Sequence, residues 1–200
     1  MREIPRRPGG RADPLDEMDE LESAVPDDFP WPIVLGVDPG TNLVGYGAIV
    51  AAPDGPRLLA AGDIRAPRGA AIPDRLAAIQ DGIGGVLRRY RPTVVVVEQA
   101  FAARNVQSAL RIGEGRGVVL ACAAKSGAEV VQYTPATARK TLVGNGSAGK
   151  LQVARMVATL LRLEAPPRPL DVTDALALAL AYVHRSHLPE SARSAGSSRR

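Results

Sequence analysis

Asp38 closes the run IVLGVD and Glu98 closes VVVVE, so each carboxylate ends an apolar, β-branched stretch. An acid at the end of a core strand costs free energy unless something cationic meets it. A further pair, Asp171 and Asp174 in DVTD, is spaced three apart and shares a face if the segment is helical. At a helix start, the dipole tolerates such charge. Plainer roles exist for some of these acids. Asp171 can be an N-cap with Asp174 completing a capping box, and Asp38 before Pro-Gly can be a turn residue. Glu98 resists such a reading, because four valines run straight into it. The chain offers one cysteine and two histidines, the latter near the C-terminus. Four converging oxygen donors without soft ligands suit a hard cation, Mg²⁺ or Mn²⁺. Two such ions about 4 Å apart activate a water and stabilise the leaving oxygen of a phosphodiester.

A competing chemistry is suggested by VGNGSAGKLQ (143–152), which has the G-x-x-x-x-G-K spacing of a nucleotide phosphate loop. Such a loop follows the first buried strand, its lysine precedes Ser or Thr, and the acidic strand comes later. Here Lys150 precedes Leu151, TPATARKTL upstream is no buried strand, and Glu98 comes before the loop. The stretch is better read as a turn whose amides and Lys150, at a helix start, take a nucleic-acid phosphate. GEGRG (113–117) likewise lacks the preceding strand that a dinucleotide fingerprint requires. No nucleotide cofactor is expected.

Elements must hold these groups. IVLGVD (33–38), VGYGAIVA (44–51) and RLLAAGDIRA (57–66), with PDGP between the last two, predict an antiparallel meander. Ile72, Leu76, Ile79, Ile83, Val86, Leu87 and Tyr90 keep the spacing of an amphipathic helix. TVVVVE (93–98) predicts a strand buried on both faces, and AEVVQYT (128–134) a fifth strand. Helices are expected over 104–125, 135–142, 150–163 and 171–186, although Gly113, Gly115 and Gly117 each weaken the first by about 1 kcal/mol. DALALALAYV alternates like a strand, but its alanine content, its length and the Asp-x-x-Asp start favour a buried helix. If the strands ending in Asp38 and Glu98 are parallel neighbours, both acids lie at one end of the sheet. The expected fold is α/β: a five-stranded mixed sheet, three strands antiparallel and two parallel, flanked by helices.

The 200 residues suffice for one domain with a sizeable core. With 46% hydrophobic but only 4% aromatic residues, alanine, valine and leucine must do the packing. No run reaches the roughly 18 apolar residues of a membrane span, and the N-terminus lacks the apolar core of a signal peptide. The lone Cys122 excludes an internal disulfide and fits a reducing cytoplasm. Residues 1–30 hold four arginines against nine acids, and residues 31–200 hold 21 basic against 12 acidic side chains. The expected organisation is a disordered acidic extension (1–30), a folded body (31–187) and a polar tail (188–200). The basic body points to an anionic partner, nucleic acid first.

Taken in order, VLGVDPGTNLVGYG, VVVEQAFAARNVQSALRIGEGRG, YTPATARKTLVGNGSAGKLQV and DVTDALALALAYVH resemble the RuvC-type Holliday junction resolvases over about residues 33–186. As a set these motifs are specific. The resemblance implies a ribonuclease H-like fold and a homodimer that nicks a four-way DNA junction symmetrically. It implies Mg²⁺, replaceable by Mn²⁺, as two ions per site on Asp38, Glu98, Asp171 and Asp174. It places Phe101 against a base near the junction centre, Arg104 among the DNA contacts, and Lys140 and Lys150 near the scissile phosphate. It gives the 113–117 stretch a part in the dimer contact. A branch-migration complex of the RuvA and RuvB type is the further partner it implies. Other readings are a ribonuclease H-like nuclease acting on RNA, a sugar-kinase or actin-like ATPase suggested by GVDPGT, and an inactive junction binder. The body of about 155 residues is short for the ATPase, and four intact acids argue against an inactive binder. The chain departs from the family in its extra 30 N-terminal residues, which are expected to compete with DNA for the basic face.

Overall fold

The computed structural model describes residues 29–99 and 106–186. Among them, β1 (Ile33–Asp38), β2 (Leu43–Ala52) and β3 (Gly55–Arg65) form the antiparallel meander that the turn residues predict. β4 (Val94–Glu98) pairs parallel with β1, and β5 (Glu129–Tyr133) pairs parallel with β4. The sheet order is β3-β2-β1-β4-β5, three antiparallel and two parallel strands. The helices are α1 (Ile72–Tyr90), α2 (Val106–Lys125), α3 (Pro135–Val143), α4 (Lys150–Leu160) and α5 (Leu170–Ser186). No helix among the described residues is long and apolar enough to cross a membrane.

Strand alternation sorts the core into two layers. Leu35, Val37, Val95 and Val97 face Ile79, Ile83 and Leu87 of α1 and Val119 and Ala123 of α2. Val34, Val94 and Val96 face Leu142 of α3, Val153 and Val157 of α4, and Leu176 and Leu180 of α5. Both faces of β1 and β4 are covered, which is why these strands read as unbroken apolar runs. Asp38 and Glu98 share the phase of Val34, Val94 and Val96, so both carboxylates belong to the α3–α5 side.

The ambiguous DALALALAYV run is a helix. Its alternation arises because α5 is apolar nearly all round: every residue from Ala175 to Ala181 is buried. Leu176, Leu178 and Leu180 are essentially inaccessible, and each such side chain contributes about 1.5–3 kcal/mol by burial. The helix rests directly on strand backbone. A β-carbon on Gly36 would lie 1.8 Å from the Ala175 carbonyl oxygen, and one on Gly45 2.4 Å from that of Asp171. Only glycine permits this approach.

Two details differ from expectation. Asp171 lies within the first turn of α5, which begins at Leu170, so it is not the N-cap. Helix α4 stops at Leu160 rather than 163, because Arg162 takes a left-handed φ of 55° and the Leu163 amide donates to the Ala158 carbonyl at 2.8 Å. That bond closes a Schellman-type end. At the N-terminal edge, Phe29 and Trp31 pack on the α1–α2 side of the core, edge to face at 6.0 Å.

Candidate active site

Strand register brings the first two acids together. Val37 of β1 pairs with Val97 of β4 in parallel, so Asp38 and Glu98, one residue on, end adjacent strands at the same height. Neighbouring strands lie about 4.8 Å apart. Asp38 also pairs with Gly45 of β2, and Gly45 is where the backbone of Asp171 touches the sheet. Asp174 follows one turn along α5. The four sequence-predicted acids therefore converge at the C-terminal ends of β1 and β4.

Their electrostatics record that convergence. Asp38 is pushed up to about 8, first by burial and then by the negative charges of Glu98, Asp174 and Asp171. Burial and Asp174 likewise raise Glu98, while Lys150 and Arg139 oppose the shift. Lys150 begins α4, and its Nζ donates to Asp174 Oδ2 at 2.5 Å. That hydrogen bond is the main reason the Lys150 ammonium is raised, and Asp38 and Asp171 add to it. Lys150 is thus a cation shared by all four carboxylates.

An all-oxygen, mutually repelling donor set fits a hard divalent cation, whose charge would relieve the strain that holds Asp38 protonated. The fit is to donor chemistry and not to a preformed cage. Among the described residues, no three carboxylates, thiols or imidazoles stand close enough together to hold a metal ion. Asp174 is turned towards Lys150 instead.

The structure also adds a cation that sequence reading did not single out. Arg139, half-buried on α3, acts on Glu98, whereas its neighbour Lys140 is exposed. The phase of α3 carries the signal. With Ala138 and Leu142 buried, residue 139 flanks the inward face and residue 140 lies opposite it. Phe101 and Arg104 lie outside the described residues.

The profile of the family described as "Crossover junction endodeoxyribonuclease RuvC" matches residues 34–182. A protein of that name from Alkalilimnicola ehrlichii is 42% identical over 165 residues, which is 82% of this chain and 99% of that protein. One from Heliobacterium modesticaldum is 43% identical over 152 residues, 76% of this chain and 94% of its own. Among solved structures, Thermus thermophilus RuvC superposes with a TM-score of 0.71 at 33% identity, covering 77% of this chain and 95% of that one. The same protein in complex with a Holliday junction substrate gives 0.70 at 31% identity, covering 77% and 94%. The yeast mitochondrial resolvase Ydc2, at 11% identity and a TM-score of 0.56, shares the fold.

Proposed function

This chain belongs to the RuvC family of crossover junction endodeoxyribonucleases, and from that premise we propose that it resolves four-way DNA junctions by paired nicks made at the Asp38–Glu98–Asp171–Asp174 site. The fold is the family's ribonuclease H-like sheet. The observation that carries the reading is the meeting of four carboxylates and Lys150 at one end of that sheet.

Asp38, Glu98, Asp171 and Asp174 are the ligands for divalent metal, Mg²⁺ or Mn²⁺ and two ions per site. Bound there, the ions supply an activated water and neutralise charge on the phosphodiester. Burial of Asp38 and Glu98 keeps bulk water and its screening away from the reacting phosphate. Lys150 and Arg139 stabilise the negative charge that grows on the phosphate oxygens during in-line displacement. Lys150 leaves Asp174 as the phosphate arrives, and α4, which starts without a side-chain cap, offers free amides to the same oxygens. Lys140, exposed on α3, joins Lys150 near the scissile phosphate, Phe101 contacts a base near the junction centre, and Arg104 is a further DNA contact.

The working unit is a homodimer. Leu110, Gly113, Gly117, Ala121 and Ala124 are exposed along one side of α2, and Leu110 is 62% accessible. A face of that kind suits a second copy of the helix at close range. A branch-migration complex of the RuvA and RuvB type is the partner that would deliver the junction.

A labelled four-way junction and a linear duplex of the same arms, each with Mg²⁺ or with EDTA, test the reading beside Asp174→Asn. Symmetric paired nicks in the junction alone, abolished by EDTA and by the substitution, are expected. Cleavage of duplex or RNA in preference to the junction would overturn the substrate, and cleavage surviving EDTA would overturn the metal.

A further inference from the structure

Both carboxylate-bearing strands are gripped from the side of the sheet opposite their carboxylates. Asp38 and Glu98 belong to the α3–α5 layer, but the main chain beside each is held by an arginine of the α1–α2 layer. Arg116 of α2 donates its Nε–H to the Glu98 carbonyl oxygen at 3.1 Å, and its Nη2 reaches Gln132 Oε1 on β5. Arg75 of α1 donates Nε–H to the Thr41 carbonyl oxygen at 3.0 Å and Nη2–H to Thr41 Oγ1 at 3.1 Å, and Nη2 also meets Asn42 Oδ1. Thr41 lies three residues beyond Asp38 and is itself buried. Next to Arg116, Gly115 presses on the same turn: a β-carbon there would lie 2.8 Å from the Gly40 carbonyl oxygen. Adjacent residues of α2 therefore touch both strand ends at once.

We propose that Arg116, with Arg75 as its counterpart, is a positioning residue that fixes the spacing of Glu98 and Asp38 through the Glu98 carbonyl and the turn that follows Asp38. A guanidinium suits the task because its planar fork bonds two acceptors in fixed directions, as an ammonium does not. The two carboxylates would hold metal together only if the strand ends keep their separation, and the brace sets that separation from the opposite side of the sheet. The inference rests on the metal-dependent reading above. Misplacing a reacting group by about 1 Å costs up to roughly 100-fold in rate, and loss of outer support costs about 10–100-fold in metal affinity or activity.

The test compares the intact chain with Arg116→Gln, Arg116→Lys and Arg75→Lys. Four quantities are measured: junction Kd in Ca²⁺, single-turnover cleavage rate, the Mn²⁺ concentration at half-maximal rate, and the rise in Tm caused by Mn²⁺ without DNA. For Arg116→Gln the rate is expected to fall about tenfold or more. Half-saturating Mn²⁺ should rise and the Mn²⁺-induced Tm rise should shrink, with Kd within about twofold. Arg116→Lys recovers part of each. If Arg116→Gln does not fold, the two lysine variants make the same comparison. Unchanged rate and Mn²⁺ dependence in the folded variants would overturn the proposal. So would a rate loss matched by an equal loss of junction affinity, which would make Arg116 a DNA contact. If the intact chain leaves the junction uncut, the functional reading fails, while the Tm readout still decides whether Arg116 governs metal binding.

Discussion

Lys150 meets Asp174 at 2.5 Å and lies in the field of Asp38 and Asp171, so one cation would compete with a bound metal for the same carboxylates. Lys150→Ala is therefore expected to split two properties that fall together when an acid is removed. Cleavage should drop on the order of 10²–10³-fold, the usual cost of one charge-stabilising donor, while Mn²⁺ binding by calorimetry stays equal or tightens. Weaker Mn²⁺ binding in that variant would show the lysine to be a support for the ligands. Asp38 gives a second expectation. It keeps its proton to about pH 8 in the folded chain, against an ordinary value of 3.8. Between those limits the folded state binds more protons than the unfolded one, so stability is greatest at the acid end and falls as pH rises towards 8, then levels. At about 1.4 kcal/mol per pKa unit, the loss is on the order of a few kcal/mol. In EDTA, Asp38→Asn should flatten the Tm-against-pH profile and raise Tm at pH 8, with a residual slope from Glu98, which burial also raises. A wild-type Tm that climbs from pH 5 to 8 would refute this. Asp38 and Glu98 were legible in the sequence because each ends an apolar run, and Asp171 and Asp174 because their spacing puts them on one face at a helix start. Arg139 and Arg116 were not marked in that way. The first is chosen over Lys140 by helix phase, and the second acts on a main-chain carbonyl 18 positions away, a partner that side-chain types do not announce.

Among the elements, α5 does most to assemble the site, and it does so through glycine. Its first turn carries Asp171, and its backbone touches β2 at Gly45 and β1 at Gly36. Gly36→Ala would drive a methyl group to 1.8 Å from the Ala175 carbonyl oxygen, and neither backbone can yield alone. The helix must lift, which removes Asp171 and Asp174 from Asp38 and opens the layer around Leu176. Overpacking a core costs about 1–3 kcal/mol, occasionally more, and main chain on both sides places this case at the upper end. Chemical denaturation should show that loss, and any folded fraction should lose its Mn²⁺-induced stabilisation. A variant of native stability and metal response would mean that α5 does not position the acids. Helix α1 could be read from its 3–4 periodicity, since its opposite face is polar, whereas β1 and β4 were read from short β-branched apolar runs that end in a carboxylate. Helix α5 could not be read so directly. An element apolar all round has no period, and its Leu–Ala alternation mimics a strand; alanine content and length decided it. Val106–Lys125 is helical despite three glycines, as the sequence predicts over 104–125. At Gly115 the missing side chain is what lets the helix reach Gly40, so a local propensity cost of about 1 kcal/mol is offset by a contact the sequence does not display.

For the whole molecule, the geometry sets a counting problem. The described residues of one chain form one carboxylate site at one end of one sheet, and resolving a junction needs two cuts placed symmetrically about its centre. Two chains related by a two-fold axis would supply them through a self-complementary contact. The exposed row Leu110, Gly113, Gly117, Ala121 and Ala124 spans roughly 21 Å of α2 at about 1.5 Å per residue, long enough for a helix-on-helix interface. The opposite side of that helix presses Gly115 on the turn after Asp38 and bonds Arg116 to Glu98. Whatever seats one copy of α2 on another therefore also fixes the distance between the two cutting sites. Leu110→Glu puts a charge at one end of the row while leaving the carboxylates, Arg116 and Lys150 intact. Light scattering should show the mass fall from dimer to monomer at micromolar concentration, with the circular dichroism spectrum of the folded chain retained because the side chain is exposed in the single chain. On a supercoiled plasmid carrying a cruciform, coordinated cuts in one junction give linear product, and lone cuts give nicked circles. The variant should shift the product from linear to nicked several-fold while total strand cleavage falls less. A variant that remains dimeric would put the interface elsewhere. A monomer that still linearises the plasmid in one encounter would remove the need for the dimer altogether.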